Sequence, residues 1–314
     1  MKLLRGIIGL LGVFIFCTAT YASGENYPEK VINMIIPFSA GGSSDVQARV
    51  MEKYWNKYAP VKWNFIYKPG AGGILGFSDV FRAKPDGYTI GNVNVPHIII
   101  QPLAGHAQFS PEKFTYLCQV VNDPACLVVR ADSPIQSVQD LFEQVRSNPK
   151  RIKGGLVGPL SGHHLIHLDM SSHFDFPATP IFYKGGADQV AALLGGEVDF
   201  IYASLAEMLR IREEVRILGL AAEQRSPLVP DVPTFRELGY NITSGQIRRG
   251  YFAPVGILPE RVEWIRDIFR KICTDSDYLA DMKRLGFPAE YLDGPDFERL
   301  IEGQKQNIAE AFNL

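Results

Sequence analysis

Two glycine-rich turns near the start of the chain restrict its fold more than any other feature. They are Pro37-Phe38-Ser39-Ala40-Gly41-Gly42-Ser43-Ser44-Asp45 and Lys68-Pro69-Gly70-Ala71-Gly72-Gly73-Ile74-Leu75-Gly76. Each follows a short apolar run that reads as a strand, Ile32–Ile36 and Trp63–Tyr67, and each opens into a segment of helical periodicity. A strand, a glycine turn and a helix start leave backbone N–H groups unpaired at the positive end of a helix dipole. Such a cradle holds an anion without lysine or arginine. Two of them on neighbouring parallel strands face each other over the strands' carboxyl ends, where open α/β folds bind ligands. The turns therefore predict a site for something small and negatively charged.

Strand and helix signals alternate through most of the chain, which predicts an α/β protein with mostly parallel sheets. Ser44 and Gln47 have the spacing of a capping box for a helix reaching Tyr58. A second set of strands and helices begins near residue 127 and runs to residue 220, and the last third is mostly helical. Two more glycine turns, Gly158-Pro159-Leu160-Ser161-Gly162 and Tyr183-Lys184-Gly185-Gly186-Ala187, lead into helices of that second set. Two turns in each half predict two lobes around a shared cleft. The chain is expected to cross between them at residues 120–126 and 241–251, giving one lobe of 23–122 plus 246–314 and a second of 123–245.

The first residues have the three-part pattern of a secretory signal peptide: Lys2 and Arg5, an apolar stretch over 7–17, and Thr20-Tyr21-Ala22 before a cut after Ala22. That stretch is shorter than the roughly 20 residues a membrane span needs. Bulky Phe16 argues against lipid attachment at Cys17. Cleavage removes two positive charges and moves the formal net charge from −2 to −4. With no basic stripe, nucleic acid is not an expected partner. Cys118, Cys126 and Cys273 remain, an odd number in an oxidising compartment; a local Cys118–Cys126 bridge and three buried free thiols are both compatible with the spacing.

The opening run from Tyr27-Pro28 through Ile35-Ile36-Pro37-Phe38-Ser39-Ala40-Gly41-Gly42-Ser43-Ser44-Asp45, with Ala48-Arg49, resembles the signature of one family. So do Lys68-Pro69-Gly70-Ala71-Gly72-Gly73 and Lys84-Pro85-Asp86-Gly87-Tyr88-Thr89, with later echoes at Gly195-Gly196-Glu197-Val198-Asp199 and Pro230-Asp231-Val232-Pro233-Thr234. The family is the extracytoplasmic solute receptors of tripartite tricarboxylate transporters, also called the Bug family. The resemblance implies a periplasmic binding protein of two α/β lobes, type II-like, closing on a small carboxylate without a cofactor. It implies that Phe38, Ser39, Ala40, Gly41, Gly42, Ser43, Ala71 and Gly72 grip one carboxylate, chiefly through backbone N–H groups. Asp45 is either a ligand contact or the organiser of its loop. Ser161, Gly162, Tyr183, Gly185 and Ser204 are expected to meet the far end of the ligand from the second lobe. The partners implied are membrane permease subunits, with the receptor itself a monomer. Two stretches depart from the family pattern, Asn94-Val95-Pro96-His97 and Arg248-Arg249-Gly250-Tyr251, and both leave the ligand open among di- and tricarboxylates, acidic amino acids and aromatic carboxylates.

Other functions fit less well. His163, His164, His167 and His173 cluster, and His163 and His167 have the four-residue spacing of a shared helix face. No carboxylate pattern completes a zinc motif, so surface or capping histidines are expected rather than a periplasmic metal site. Ser161 is not in a G-x-S-x-G elbow, and the acid that a dinucleotide turn requires is replaced by Asn92 and Asn94. A receptor that signals to a membrane partner instead of feeding a permease would carry the same loops.

Overall fold

The computed structural model describes residues 27–242 and 245–312; the predicted signal segment lies outside the described residues. The first half is built from β1 (Ile32–Ile36), α1 (Ser43–Tyr58), β2 (Trp63–Tyr67), α2 (Ile74–Phe81), β3 (Thr89–Val95) and α3 (His97–Leu103). β1 is the middle strand, parallel to β2 and β3, with Met34 opposite Phe65 on one side and Ile90 on the other. A parallel strand flanked on both edges is covered on both faces, so its sequence is a continuous apolar run. The second half repeats the plan with α4 (Val138–Ser147), β5 (Lys153–Val157), α5 (Gly162–His173), β6 (Thr179–Tyr183), α6 (Gly186–Leu194), β7 (Phe200–Ser204), α7 (Leu205–Leu209) and β8 (Val215–Ala221). There β5 is the middle strand between β6 and β7.

Two strands join the halves. The long strand that follows α3, here βL (Phe114–Arg130), pairs antiparallel over residues 114–124 with the returning strand βR (Gln246–Pro254). Over residues 125–130 it pairs instead with β7 and β8 of the second half. The predicted crossing at 120–126 is thus unbroken strand. The flanks are parallel, but every pairing made by βL and βR is antiparallel. This corrects the expectation of mostly parallel sheets. A chain that leaves one half and comes back brings its two crossings side by side in opposite directions.

The chain then closes on the first half through α8 (Pro259–Cys273), α9 (Ser276–Arg284), a last strand β9 (Ala289–Asp293) and α10 (Gly294–Phe312). Residues Val262, Ile265, Ile268, Phe269 and Ile272 of α8 recur at helical spacing and are buried. Phe269 stacks on Tyr251 of βR at 4.6 Å and also meets Trp55 and Trp63. The second half has its own core around Phe142, Phe176 and Phe200. α3, α7 and β9 had no separate sequence signal.

One further expectation fails locally, and one open alternative is decided. The N-cap of α1 is Gly42, with no side-chain cap, so Ser44 lies inside the helix and cannot form the capping box. Its hydroxyl donates to Asn94 Oδ1 (3.2 Å), and Gln47 accepts from the Tyr251 hydroxyl (3.2 Å). Cys118, Cys126 and Cys273 are all buried free thiols. Cys118 and Cys126 share one strand and are separated by on the order of 25 Å of extended chain, far beyond disulfide reach.

Asp123 of βL and Arg249 of βR form an ion pair at 2.9 Å with side-chain exposures of 0% and 3%. Asp123 also accepts the Ala206 N–H at 3.3 Å, which ties α7 to the crossing. Breaking such a pair strands a charge, so Asp123→Leu should cost about 3–5 kcal/mol. Chemical denaturation of the variant measures this, and adding Arg249→Met should recover part of the loss.

Candidate ligand-binding site

The four glycine turns meet in two pairs across the cleft. A Cβ on Gly158 would lie 2.6 Å from Gly72 Cα, and one on Gly185 would lie 2.6 Å from Ser39 N. Backbone therefore packs on backbone, and only glycine permits that approach. Gly72 also needs a left-handed backbone, with φ +61°. Side chains complete the contact: Gln101 Nε2 donates to Pro159 O at 2.8 Å, and Ser39 Oγ donates to Asp188 Oδ2 at 2.5 Å. The cleft is closed in this conformation.

Beneath these contacts lies a cavity of about 30 Å³, room for roughly two waters. Phe38, Gly42, Ser43 and Ser44 form one wall at the start of α1. Because no side chain caps α1, its first-turn N–H groups keep the donor capacity that helix geometry leaves unpaired. Asn94 and His97, at the end of β3 and the start of α3, form a second wall. His163, Gly186, Ser204 and Glu207 face them from the other half, and Arg249 of βR closes the floor.

Among the described residues, several buried polar atoms here have no partner: Ser43 Oγ, His97 Nδ1, both ring nitrogens of His163, and Arg249 Nε. Arg249 spends its two terminal nitrogens on Asp123 and on the Ser204 hydroxyl. Burial, helped by the Arg249 charge, pushes the His163 imidazole down to about 3, and burial with His163 and Arg249 does the same to His97. Both rings are thus neutral. Burial pushes the Glu207 carboxyl up to about 7 against the pull of Arg210 and Arg249.

Of the residues expected at the site, Phe38, Gly42, Ser43 and Ser204 line the cavity. Ser39, Gly72 and Gly185 lie in the contacts across the cleft. Ala40, Gly41 and Ala71 are exposed at the turns. The Asp45 carboxylate is engaged by Gly41 N–H (2.8 Å), the Tyr67 hydroxyl (2.7 Å) and Arg49 Nε (3.3 Å), so Asp45 organises its loop and takes up the Gly41 amide. Ser161 caps α5 by accepting the His164 N–H, and a Cβ on Gly162 would meet Pro96 at 3.3 Å. Tyr183 pairs with Glu197 and is absent from the cavity wall.

His97, His163, Asn94, Glu207 and Arg249 were not anticipated as site residues. Asn94, His97 and Arg249 fall in the two stretches that depart from the family pattern, which was their only sequence signal. His163 and His167 are each only 4% exposed, so the expectation of surface histidines fails for both. His163 turns into the cavity while His164 and His167 stack on each other at 6.5 Å, so the four-residue spacing does not make one site. Among the described residues, no group of three or more His, Cys, Asp or Glu is placed to hold a metal ion.

A histidine held neutral by burial contributes stability above its unfolded value and loses it as pH falls toward its folded value. His97 and His163 should therefore destabilise the fold progressively from about pH 6.5 down to about pH 3. Glu207 acts oppositely: its contribution is present below about pH 4.5 and lost as pH rises through about 7. The doubly substituted His97→Leu/His163→Leu protein should show a shallower loss of melting temperature between pH 6.5 and 4 than the wild type.

Comparison with known proteins bears on what this site serves. The family profile for tripartite tricarboxylate transporter family receptors, TctC, matches residues 64–313. A UPF0065 protein of Cupriavidus necator is 29% identical over 278 residues, covering 88% of this chain and 84% of that relative. The structure of the periplasmic binding protein BugD superposes with a TM-score of 0.86 at 27% identity, over 91% of this chain and 98% of BugD. MatC from Rhodopseudomonas palustris, solved with malate bound, shares the fold at 23% identity, with a TM-score of 0.83 over 90% of this chain and 98% of MatC. With two α/β halves closed over a polar cleft and a family match across most of its length, the chain belongs to the tripartite tricarboxylate transporter receptors, a family of periplasmic solute-binding proteins.

Proposed function

We propose that this protein captures a small organic carboxylate in the periplasm and presents it to the membrane permease subunits of a tripartite tricarboxylate transporter. The observation that carries this reading is the closed cleft, in which an uncapped helix start and buried unpartnered donors converge on one cavity. A carboxylate accepts hydrogen bonds from the donors among them. Malate in MatC, and adipate in another Rhodopseudomonas palustris protein of the same fold, are ligands of that chemistry.

The two lobes divide at the βL–βR crossings, as 23–122 plus 246–314 and 123–245, after removal of the signal peptide at Ala22. The protein works as a monomeric receptor without catalysis. Opening is a hinge motion about βL and βR that parts the glycine contacts and admits the ligand. Phe38, Gly42 and Ser43 receive the carboxylate, while Ser39, Gly72 and Gly185 hold the lobes together around it. Among the described residues, no helix is long and apolar enough to cross a membrane, in keeping with a receptor that meets its permease from outside.

A thermal-shift screen of the mature protein against small mono-, di- and tricarboxylates tests the reading. A ligand at a hundred times its dissociation constant stabilises by about 2.7 kcal/mol, a shift of a few degrees. A Cβ on Gly72 would come within 2.4 Å of Gln101 Nε2 and 2.7 Å of Pro159 O. Gly72→Val, which must also take up a left-handed φ of +61°, should keep the cleft from closing and lose the ligand-induced shift, with circular dichroism to check that it folds. A screen with no carboxylate response from the wild type overturns the proposal.

A further inference from the structure

His97 and His163 stand on opposite walls of the cleft, one at the start of α3 and the other in the first turn of α5. They are 2% and 4% exposed and both line the same small cavity. His97 Nδ1 and both nitrogens of His163 have no hydrogen-bond partner, and neither does Arg249 Nε or Ser43 Oγ. Five unpartnered polar atoms around one cavity are a strong sign of a ligand, because buried polar groups are otherwise almost always paired. A neutral imidazole offers one N–H, and the guanidinium Nε–H is a donor only. One His163 nitrogen, His97 Nδ1 in its N–H tautomer, Arg249 Nε and Ser43 Oγ are thus free to donate to a carboxylate, while the second His163 nitrogen is an acceptor that a carboxylate leaves unpaired.

We propose that a single ligand carboxylate is clamped between His97 of one lobe and His163 of the other, with Arg249 Nε and Ser43 Oγ completing its hydrogen bonds. This deepens the carboxylate-receptor reading and rests on it. The clamp couples recognition to closure: the closed cleft without a ligand buries these donors unpaired, and the carboxylate bonds both walls only when they are together. A ligand can shift an equilibrium only by its differential affinity for the two states, and this contact exists in one of them alone. The cavity, about 30 Å³, has room for a carboxylate and little more. The ligand class is thus an acid ending in an unbranched carboxylate, with the rest of the molecule outside the clamp.

The test is calorimetric titration of the wild type, His97→Leu and His163→Leu with succinate, glutarate and adipate. The wild type should bind at least one of these acids. Each leucine variant, with native circular dichroism, should bind it about tenfold or more weakly, the loss of one hydrogen bond to a charged group. Equal affinity in both folded variants overturns the clamp while leaving the receptor reading intact. Wild-type protein that binds none of the three acids but responds to another carboxylate in the thermal screen also overturns the clamp alone. Should a variant not fold, ¹⁵N-histidine spectra of the wild type decide. The His97 and His163 ring resonances must move on adding the bound acid, and unmoved resonances overturn the proposal.

Discussion

Both halves of this molecule depend on the antiparallel pairing of βL with βR, because these two strands alone carry the chain from one α/β unit to the other. Their register sets Asn122 opposite Arg248 and Asp123 opposite Ile247 at the junction. The buried Asp123–Arg249 pair is placed by that register, and it reaches Ala206 of α7 and Ser204 of β7 as well. A buried ion pair is a poor source of net stability, but breaking one is costly. Here it ties the crossing strands to α7 and β7 of the second half, beside the cleft.

Those surfaces are arranged for close approach and for hydrogen bonding at the same place. The glycine turns let main chain touch main chain at Gly72–Gly158 and at Ser39–Gly185. Directly beneath, side chains of both halves bury donors without partners. An unpartnered buried donor is costly, so the arrangement is explained by what a ligand supplies. The charge balance fits the same account. Arg249 is already neutralised by Asp123, the imidazoles are neutral and the Glu207 carboxyl is pushed up to about 7, so below that pH the cavity carries dipoles more than net charge. A carboxylate held this way would lose its contacts on one wall when the halves part.

Much of the framework was legible in the chain. β1 and β2 have the bounds that the apolar runs predict, because each is a short run ended by a glycine-rich turn. The glycine turns marked the cleft. The failures are equally specific. Ser44 and Gln47 have capping-box spacing, but Gly42 takes the cap, and Gln47 is drawn into the buried network of Asn92 and Tyr251. The strand over residues 114–130, buried almost throughout, was anticipated only as a crossing at 120–126 and a second set beginning near 127.

The local sequence determined the strands, the helices and the sites where backbone must approach closely, since periodicity and glycine act over a few residues. It also determined that an anion is the natural occupant of such turns. Only the tertiary structure decided which side chains complete the site. His97, His163, Glu207 and Arg249 come from four separate segments, and no spacing along the chain relates them. Their conjunction is made by the crossing strands, which bring distant residues within hydrogen-bond reach and withdraw water from all of them at once.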